Sequence, residues 1–318
     1  MKTLRYFLAA LALCLVTAPA YAVNSCYWVG GTGNWSDGGN HWASATGGTI
    51  GTCTGTGGGA GTHYPLGTAD AANFDANSGG GTATNDVSNL NIFQLNMGGY
   101  TGTLTNAVNN YNITLSSFSC SSGSSAGLNL GTGTWTITSS GSAAAWSDNS
   151  TCLSSLTSSG STLAFNATSG GAILIQLGNH HYGTISLTGA SVTTSWVDFT
   201  AYGGTVDTLN VSAPAYVQFT SNVTFTFTNP WNVIGTSSHI VTFYGSQSTA
   251  GAQKTLLDLS VSSASLCTYC AIGQFTIGQG TLTATSSFNI GNMSTSGGGA
   301  YSITAPSGGG GGYIIGGG

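Results

Sequence analysis

The chain has 318 residues, of which 40% are hydrophobic, only 3% are charged and 51 are glycine. Its three basic residues, Lys2, Arg5 and Lys254, face eight aspartates and no glutamate. So few cations cannot neutralise a phosphate backbone or hold an anionic membrane surface, which excludes nucleic acid as a partner; plentiful aromatic and β-branched residues exclude the composition of a disordered chain.

Residues 1–22, MKTLRYFLAALALCLVTAPAYA, join a positive start to an apolar run (Phe7 to Val16) and a small-x-small site at Ala20-Tyr21-Ala22. This pattern predicts a cleaved signal peptide and export. The run is short of the roughly 20 residues that span a bilayer, and no later segment approaches that length, so the protein is not expected to be integral to a membrane. Without the signal, Lys254 is the sole cation.

Residues 23–72 read as a Gly/Trp-rich N-terminal cap. The stretch CYWVGGTGNWSDGGNHWA, Cys26 to Ala43, places Trp28, Trp35 and Trp42 seven residues apart, with Tyr27 alongside. That spacing hints at a helix, but Gly30, Gly31, Gly33, Gly38 and Gly39 oppose one. Two roles stay open for the rings. They close the exposed end of a stack of strands, or Trp28, Trp35, Trp42 and Tyr27 form a platform on which a glycan stacks.

From residue 73 to 305 the pattern is alternation bounded by Gly, Ser and Asn, as in GTGTWTITSSG, GGAILIQLG and YVQFTSNVTFTFTN. Such runs predict short strands with almost no helix. They recur about every ten residues over a longer stretch than one sandwich needs. The predicted fold is all-β, an irregular right-handed parallel β-helix or solenoid of about nine coils with roughly 25 residues each; tandem β-sandwiches are the alternative. Residues 306–318 read as a Gly-rich flexible tail in which Tyr313, Ile314 and Ile315 are embedded.

Six cysteines remain after the signal, in three sequence-local pairs: Cys26 with Cys53, Cys120 with Cys152, and Cys267 with Cys270. Nearest-neighbour pairing is one of fifteen possible connectivities, and an exported chain is expected to oxidise them as structural bridges. Cys267-x-x-Cys270 lacks the βαβ context of a redox motif and the second ligand pair of a zinc site. No metal or other cofactor is implied.

The segment YWVGGTGNWSDGGNHWA, followed by TADAANFDANSGGGTATND, resembles the opening of a diffuse group of phage virion-associated and bacterial surface-exposed β-solenoid proteins, in which a YWVGGxGNWSD motif precedes Thr/Gly-rich coils. NPWNVIGTSSHIVTFYGSQ and TLLDLSVSSASL resemble that group's closing coils. The resemblance covers the first fifty mature residues well and the remainder in style. It implies a structural or adhesive role on a cell surface or a phage particle, such as a phage tail, with a surface polysaccharide or a host-cell surface as partner. The signal peptide weights this toward the cell surface.

Enzymatic readings find less support. A pectate-lyase-like polysaccharide depolymerase needs a basic residue near acids, or clustered carboxylates. Here Asp37, Asp70, Asp75, Asp86, Asp148, Asp198, Asp207 and Asp258 stand singly, and Asp198 with Asp207 is the pair to inspect. In Asn179-His180-His181-Tyr182 the two histidines should point to opposite sides of a strand. Thr-x-Thr at Thr103/Thr105, Thr134/Thr136/Thr138, Thr224/Thr226/Thr228 and Thr281/Thr283/Thr285 raises ice binding as a minor alternative, set back by the irregular spacing of these segments. The expected function is therefore that of an exported, non-enzymatic structural or adhesive protein with no catalytic residues.

Overall fold

The computed structural model describes residues 23–121, 125–138, 144–166, 171–187, 196–212, 215–245, 255–259, 263–291 and 293–306. The predicted signal peptide, Lys254 and the tail from residue 307 lie outside them. The chain is nearly all β, 53% strand and 2% helix, with a parallel sheet of 24 strands and a second sheet of five. It is a β-solenoid, as the alternating sequence predicts, and has no closed barrel.

Three faces make up each coil. Strands of the first face include Asn24–Trp28, Asp70–Asn73, Ala144–Asp148, Ile173–Leu177, Val197–Phe199, Ala215–Phe219, Val241–Gly245, Cys270–Gly273 and Phe288–Gly291, all paired in parallel. The strands Leu90–Asn96 and Ile113–Cys120 are long enough to turn a corner, giving their first halves to the second face and their second halves to the first. The second face continues through Thr134–Ile137, Thr162–Phe165 and the C-terminal half of His181–Leu187. The third face is the five-stranded sheet that starts at Gly33–Asn34, Thr82–Thr84 and Thr103–Thr105. Eleven coil levels follow from the first-face ladder, two more than the sequence suggests. At about 4.8 Å per level the stack is about 48 Å tall. Coils differ in length, from 17 residues between Thr268 and Thr285 to 34 between Asn232 and Leu266, and 46 between Asn24 and Asp70 where the cap is inserted, so no exact repeat is visible in the sequence.

Alternation decides what is inside. In Thr134–Ile137 the side chains of Trp135 and Ile137 enter the core while Thr134 and Thr136 face out. Corners need a left-handed backbone, supplied on successive coils by Asn89 (φ 54°), Asn110 (φ 54°) and Gly131 (φ 67°), because asparagine and glycine tolerate that region best. Buried polar side chains stack too. Asn85 Nδ2 donates to Asn106 Oδ1 at 2.9 Å, and Asn106 Nδ2 donates to the Tyr111 and Leu130 carbonyls.

The first coil begins earlier than the sequence suggests. Asn24–Trp28 already stacks on Asp70–Asn73, and Gly33–Asn34 on Thr82–Thr84. Residues 23–72 are thus a coil with an inserted cap, and not a separate cap. Trp42-Ala43 pairs antiparallel with Trp28-Tyr27 and covers the outer edge of the ladder. Trp28, Trp35 and Trp42 are all buried and meet Phe74 with ring centroids 5.6 to 5.9 Å away. Each such ring removes roughly 200 Å² from water. Their indole N–H groups are satisfied, Trp35 by the Pro65 carbonyl at 2.8 Å and Trp42 by the Trp35 carbonyl at 2.7 Å. Glycine is required here by close approach, since a Cβ on Gly33 would lie 2.0 Å from His41 Nε2. The same chain that avoids a long helix still makes one helical turn, Gly38–His41, and His41 stacks on Trp28 at 4.5 Å.

Asp70 ties the inserted loop down. Buried itself, it accepts hydrogen bonds from the Thr56, Leu66 and Gly67 N–H groups, the Thr56 hydroxyl and Asn24 Nδ2. Burial alone would raise its carboxyl, but these donors outweigh it and hold the group below its ordinary value.

The far end is treated differently. In the last coil the inward positions fall to Asn289, Thr295, Tyr301 and Ile303, stacked on Ile272, Ile277, Leu282 and Ala284. Of these, Asn289, Thr295 and Tyr301 carry polar groups that tolerate the water that the missing next coil would exclude, as terminal repeats of solenoids require, while Ile303 packs on the core.

The three sequence-local disulfides are formed, with Cα–Cα distances of 5.2, 5.6 and 6.1 Å. Cys26–Cys53 anchors the cap loop to the first coil, and Cys120–Cys152 joins successive levels. Replacing Cys26 and Cys53 together by Ser is expected to lower the unfolding free energy by about 3 kcal/mol, measured by urea denaturation of the mature protein; an unchanged midpoint would mean the cap does not limit stability.

Candidate functional site

The rings proposed from sequence as a glycan platform are the first to place. Trp28, Trp35 and Trp42 offer no face to solvent, because every one packs inside the cap. Tyr27 is half-buried on the first strand, beside Ala43 and Asn73. Covering the end of the stack is the role their burial supports, and buried tryptophan rings leave no face on which a sugar could stack.

Among the described residues the aspartates do not converge. Asp37 bonds Asn40, Asp75 bonds Ser78 and the Asn77 N–H, and Asp86 bonds the N–H and hydroxyl of Ser36. The pair singled out from sequence is separated by topology. Asp198 lies on the first face, in register between Leu174 and Gln218, whereas Asp207 lies at the start of the corner strand Gly204–Ser212 with His181 and Thr228. An open groove of about 480 Å³ on the third face, lined by Leu256, Asp258, Gln279 and Ser296, holds one acid where glycoside hydrolysis uses two.

The adjacent histidines do take opposite sides, and each finds an aspartate one level away. Outside, His181 Nε2 sits 2.7 Å from Asp207 Oδ1, which also accepts from the Thr228 hydroxyl at 2.7 Å. Burial pushes the Asp207 carboxyl up, but the Thr228 and His181 contacts prevail and leave it below its ordinary value. Inside, His180 Nδ1 lies 2.7 Å from Asp148 Oδ2, which also accepts from the Tyr182 hydroxyl at 2.8 Å; Tyr182 in turn accepts from Trp146 Nε1 at 3.1 Å. Asp148 is fully buried, and its other oxygen has no partner among the described residues. Burial raises the Asp148 carboxyl, against the pull of His180 and Tyr182. Asp148 also raises His180, against burial, and the Leu153 carbonyl adds to that rise. Both shifts keep a proton on the pair, and its position inside a corner makes it a clamp between coils.

The threonine segments are better ordered than the sequence implies. Thr82-x-Thr84 stacks on Thr103-x-Thr105, and Thr134, Thr162, Thr184 and Thr208 form one column. The doublets are not sustained, however. Gly127 and Asn129 follow on the third face, and Ala164, Ser186 and Asn210 follow Thr136 on the second.

One patch was not anticipated. Trp196 is 46% exposed, while the other six tryptophans are buried. Val197 points into the core, so Trp196 and Asp198 both point outward. The next coil places Tyr216 and Gln218 beside them, and the one after that Thr242 and Tyr244. Tyr216 and Tyr244 have ring centroids 6.4 Å apart. Burial raises the Asp198 carboxyl, and Asp198 accepts no hydrogen bond from another described residue. Exposed rings within alternating strands carry no sequence signature; only the coil lengths, unknown beforehand, bring these residues into one strip.

Comparison of the chain with protein-family models, with curated proteins and with solved structures finds no match.

Losing one partner of the inner clamp should be costly. His180→Gln is expected to lower the unfolding free energy by about 3 kcal/mol, since it leaves Asp148 buried without its cation. Because the folded pKa of His180 is raised, its contribution is complete below the unfolded value of about 6.5 and is lost as pH rises through the folded value. Asp70 has the opposite sign, and its contribution is lost as pH falls below the ordinary carboxylate range. Urea midpoints across pH should therefore fall on both sides of a mildly acidic plateau; a midpoint that stays flat as pH rises from about 6 to about 9 would contradict the clamp.

Proposed function

We propose that this protein is an exported, non-enzymatic β-solenoid that serves as a structural or adhesive component of a cell surface or phage particle. The observation that carries this reading is Trp196. Burying a tryptophan is the rule in this chain, and Trp196 left open beside Tyr216 and Tyr244 makes an aromatic patch on the outer face of a disulfide-stapled stack, which is an adhesive feature. Three buried disulfides suit an oxidising compartment outside the cytoplasm. No helix among the described residues is long and apolar enough to cross a membrane. Attachment to a surface would then run through side chains on the faces of the stack. The aspartates support scaffolding roles, as Asp70, Asp86 and Asp148 are spent on internal hydrogen bonds.

Immunogold electron microscopy with an antibody to the mature protein, applied to a producing culture and its released particles, tests this. Gold on the cell envelope or on particles is expected. Gold confined to the cytoplasm would overturn the reading, as would depolymerisation of a surface polysaccharide by the purified protein.

A further inference from the structure

The strip around Trp196 has a composition that narrows its ligand. Across three successive coils it presents Trp196 and Asp198, then Tyr216 and Gln218, then Thr242 and Tyr244. Rows are about 4.8 Å apart and the two outward columns about 6.7 Å apart. Apolar ring faces therefore alternate with a carboxylate that has no partner among the described residues and a primary amide at fixed distances. We propose that Trp196, Asp198, Tyr216, Gln218 and Tyr244 form a binding site for a neutral glycan chain, an assignment that deepens the adhesive reading and rests on it.

The chemistry of the strip selects that class by elimination. Aromatic faces attract sugar C–H faces and nucleic-acid bases alike. Bases, however, come with phosphates, and no Lys or Arg is found among the described residues to neutralise them. A uronate or sulfated glycan meets the same obstacle, made worse by Asp198. A protein partner burying the usual ~800 Å² per side needs an apolar centre, whereas here Asp198 and Gln218 separate the rings. A sugar chain meets none of these objections. Its hydroxyls each need a donor or an acceptor when desolvated, and a carboxylate accepts while an amide does both. Gln218 lies in register with both Asp198 and Tyr244 on neighbouring coils, so these hydrogen-bonding groups sit next to the rings that would hold the apolar face of the sugar. The sheet beneath is paired on both sides, so the strip is preorganised and little ordering cost is added on binding.

Affinity electrophoresis of the mature protein tests the site, with native gels containing dextran, galactomannan or xyloglucan and a gel of polygalacturonate as the anionic control. Retardation is expected in at least one neutral gel and not in polygalacturonate. Trp196→Ala should weaken that retardation at least tenfold, and Gln218→Ala should weaken it without touching a ring. Both are surface changes, so unaltered urea midpoints are expected in each. No retardation in any neutral gel, equal retardation in polygalacturonate, or undiminished retardation of Trp196→Ala would overturn the site. The outcomes separate from those of the localisation experiment. A surface-located protein that ignores neutral glycans loses only this site, whereas a cytoplasmic protein retarded by them keeps the site and loses the adhesive role.

Discussion

Everything in this molecule depends on strands of one coil lying in register on strands of the next. Parallel pairing satisfies the backbone along the stack and forces like positions into columns at about 4.8 Å. Such a stack is stable only if its ends are closed, because each end otherwise exposes both an apolar core and a row of unpaired backbone groups. The two ends are closed by different means. At the start, three tryptophans and Phe74 fill the core beneath an antiparallel edge formed by Trp42-Ala43. At the finish, Asn289 and Thr295 take inward positions that Ile272 and Ile277 hold one coil earlier.

The same constraint accounts for the unusual composition. A charge on an outward position would face the matching position of the coils above and below, and like charges directly opposite one another destabilise a sheet. Threonine, serine and asparagine avoid this and can bond along the column, as Asn96 does to Asn73. Charge persists where a partner is built in. Asp148 and Asp207 each meet a histidine, while Asp70 is surrounded by backbone donors. Against that background Asp198 stands out, since it lies beside the exposed Trp196 and the half-buried Tyr216 with no built-in partner among the described residues.

The fold class was legible because alternation within each strand is a local property. Trp135 and Ile137 between Thr134 and Thr136 declare their two sides without reference to any neighbour. Nearest-neighbour pairing of the cysteines is likewise local, closing loops of 27, 32 and 3 residues, although the sequence alone left fifteen connectivities open. What could not be read were the juxtapositions between coils, because coil length varies from level to level. His180 and Asp148 are 32 residues apart and His181 and Asp207 are 26 apart, and no periodicity would have paired them. Trp196 carries no mark in the sequence, because the tryptophans of the opening segment dominate it, and burial, invisible there, reverses their apparent roles.

The seal at the first coil is what the rest of the stack depends on most directly. Hydrogen exchange followed by mass spectrometry, comparing the mature protein with Trp42→Ala, measures it. Loss of protection should begin in Asn24–Trp28 and Gly33–Asn34, spread to Asp70–Asn73 and Thr82–Thr84, and fade toward the later coils. Protection that is unchanged in those strands, or lost evenly over the whole stack, would contradict an end-sealed ladder of coils.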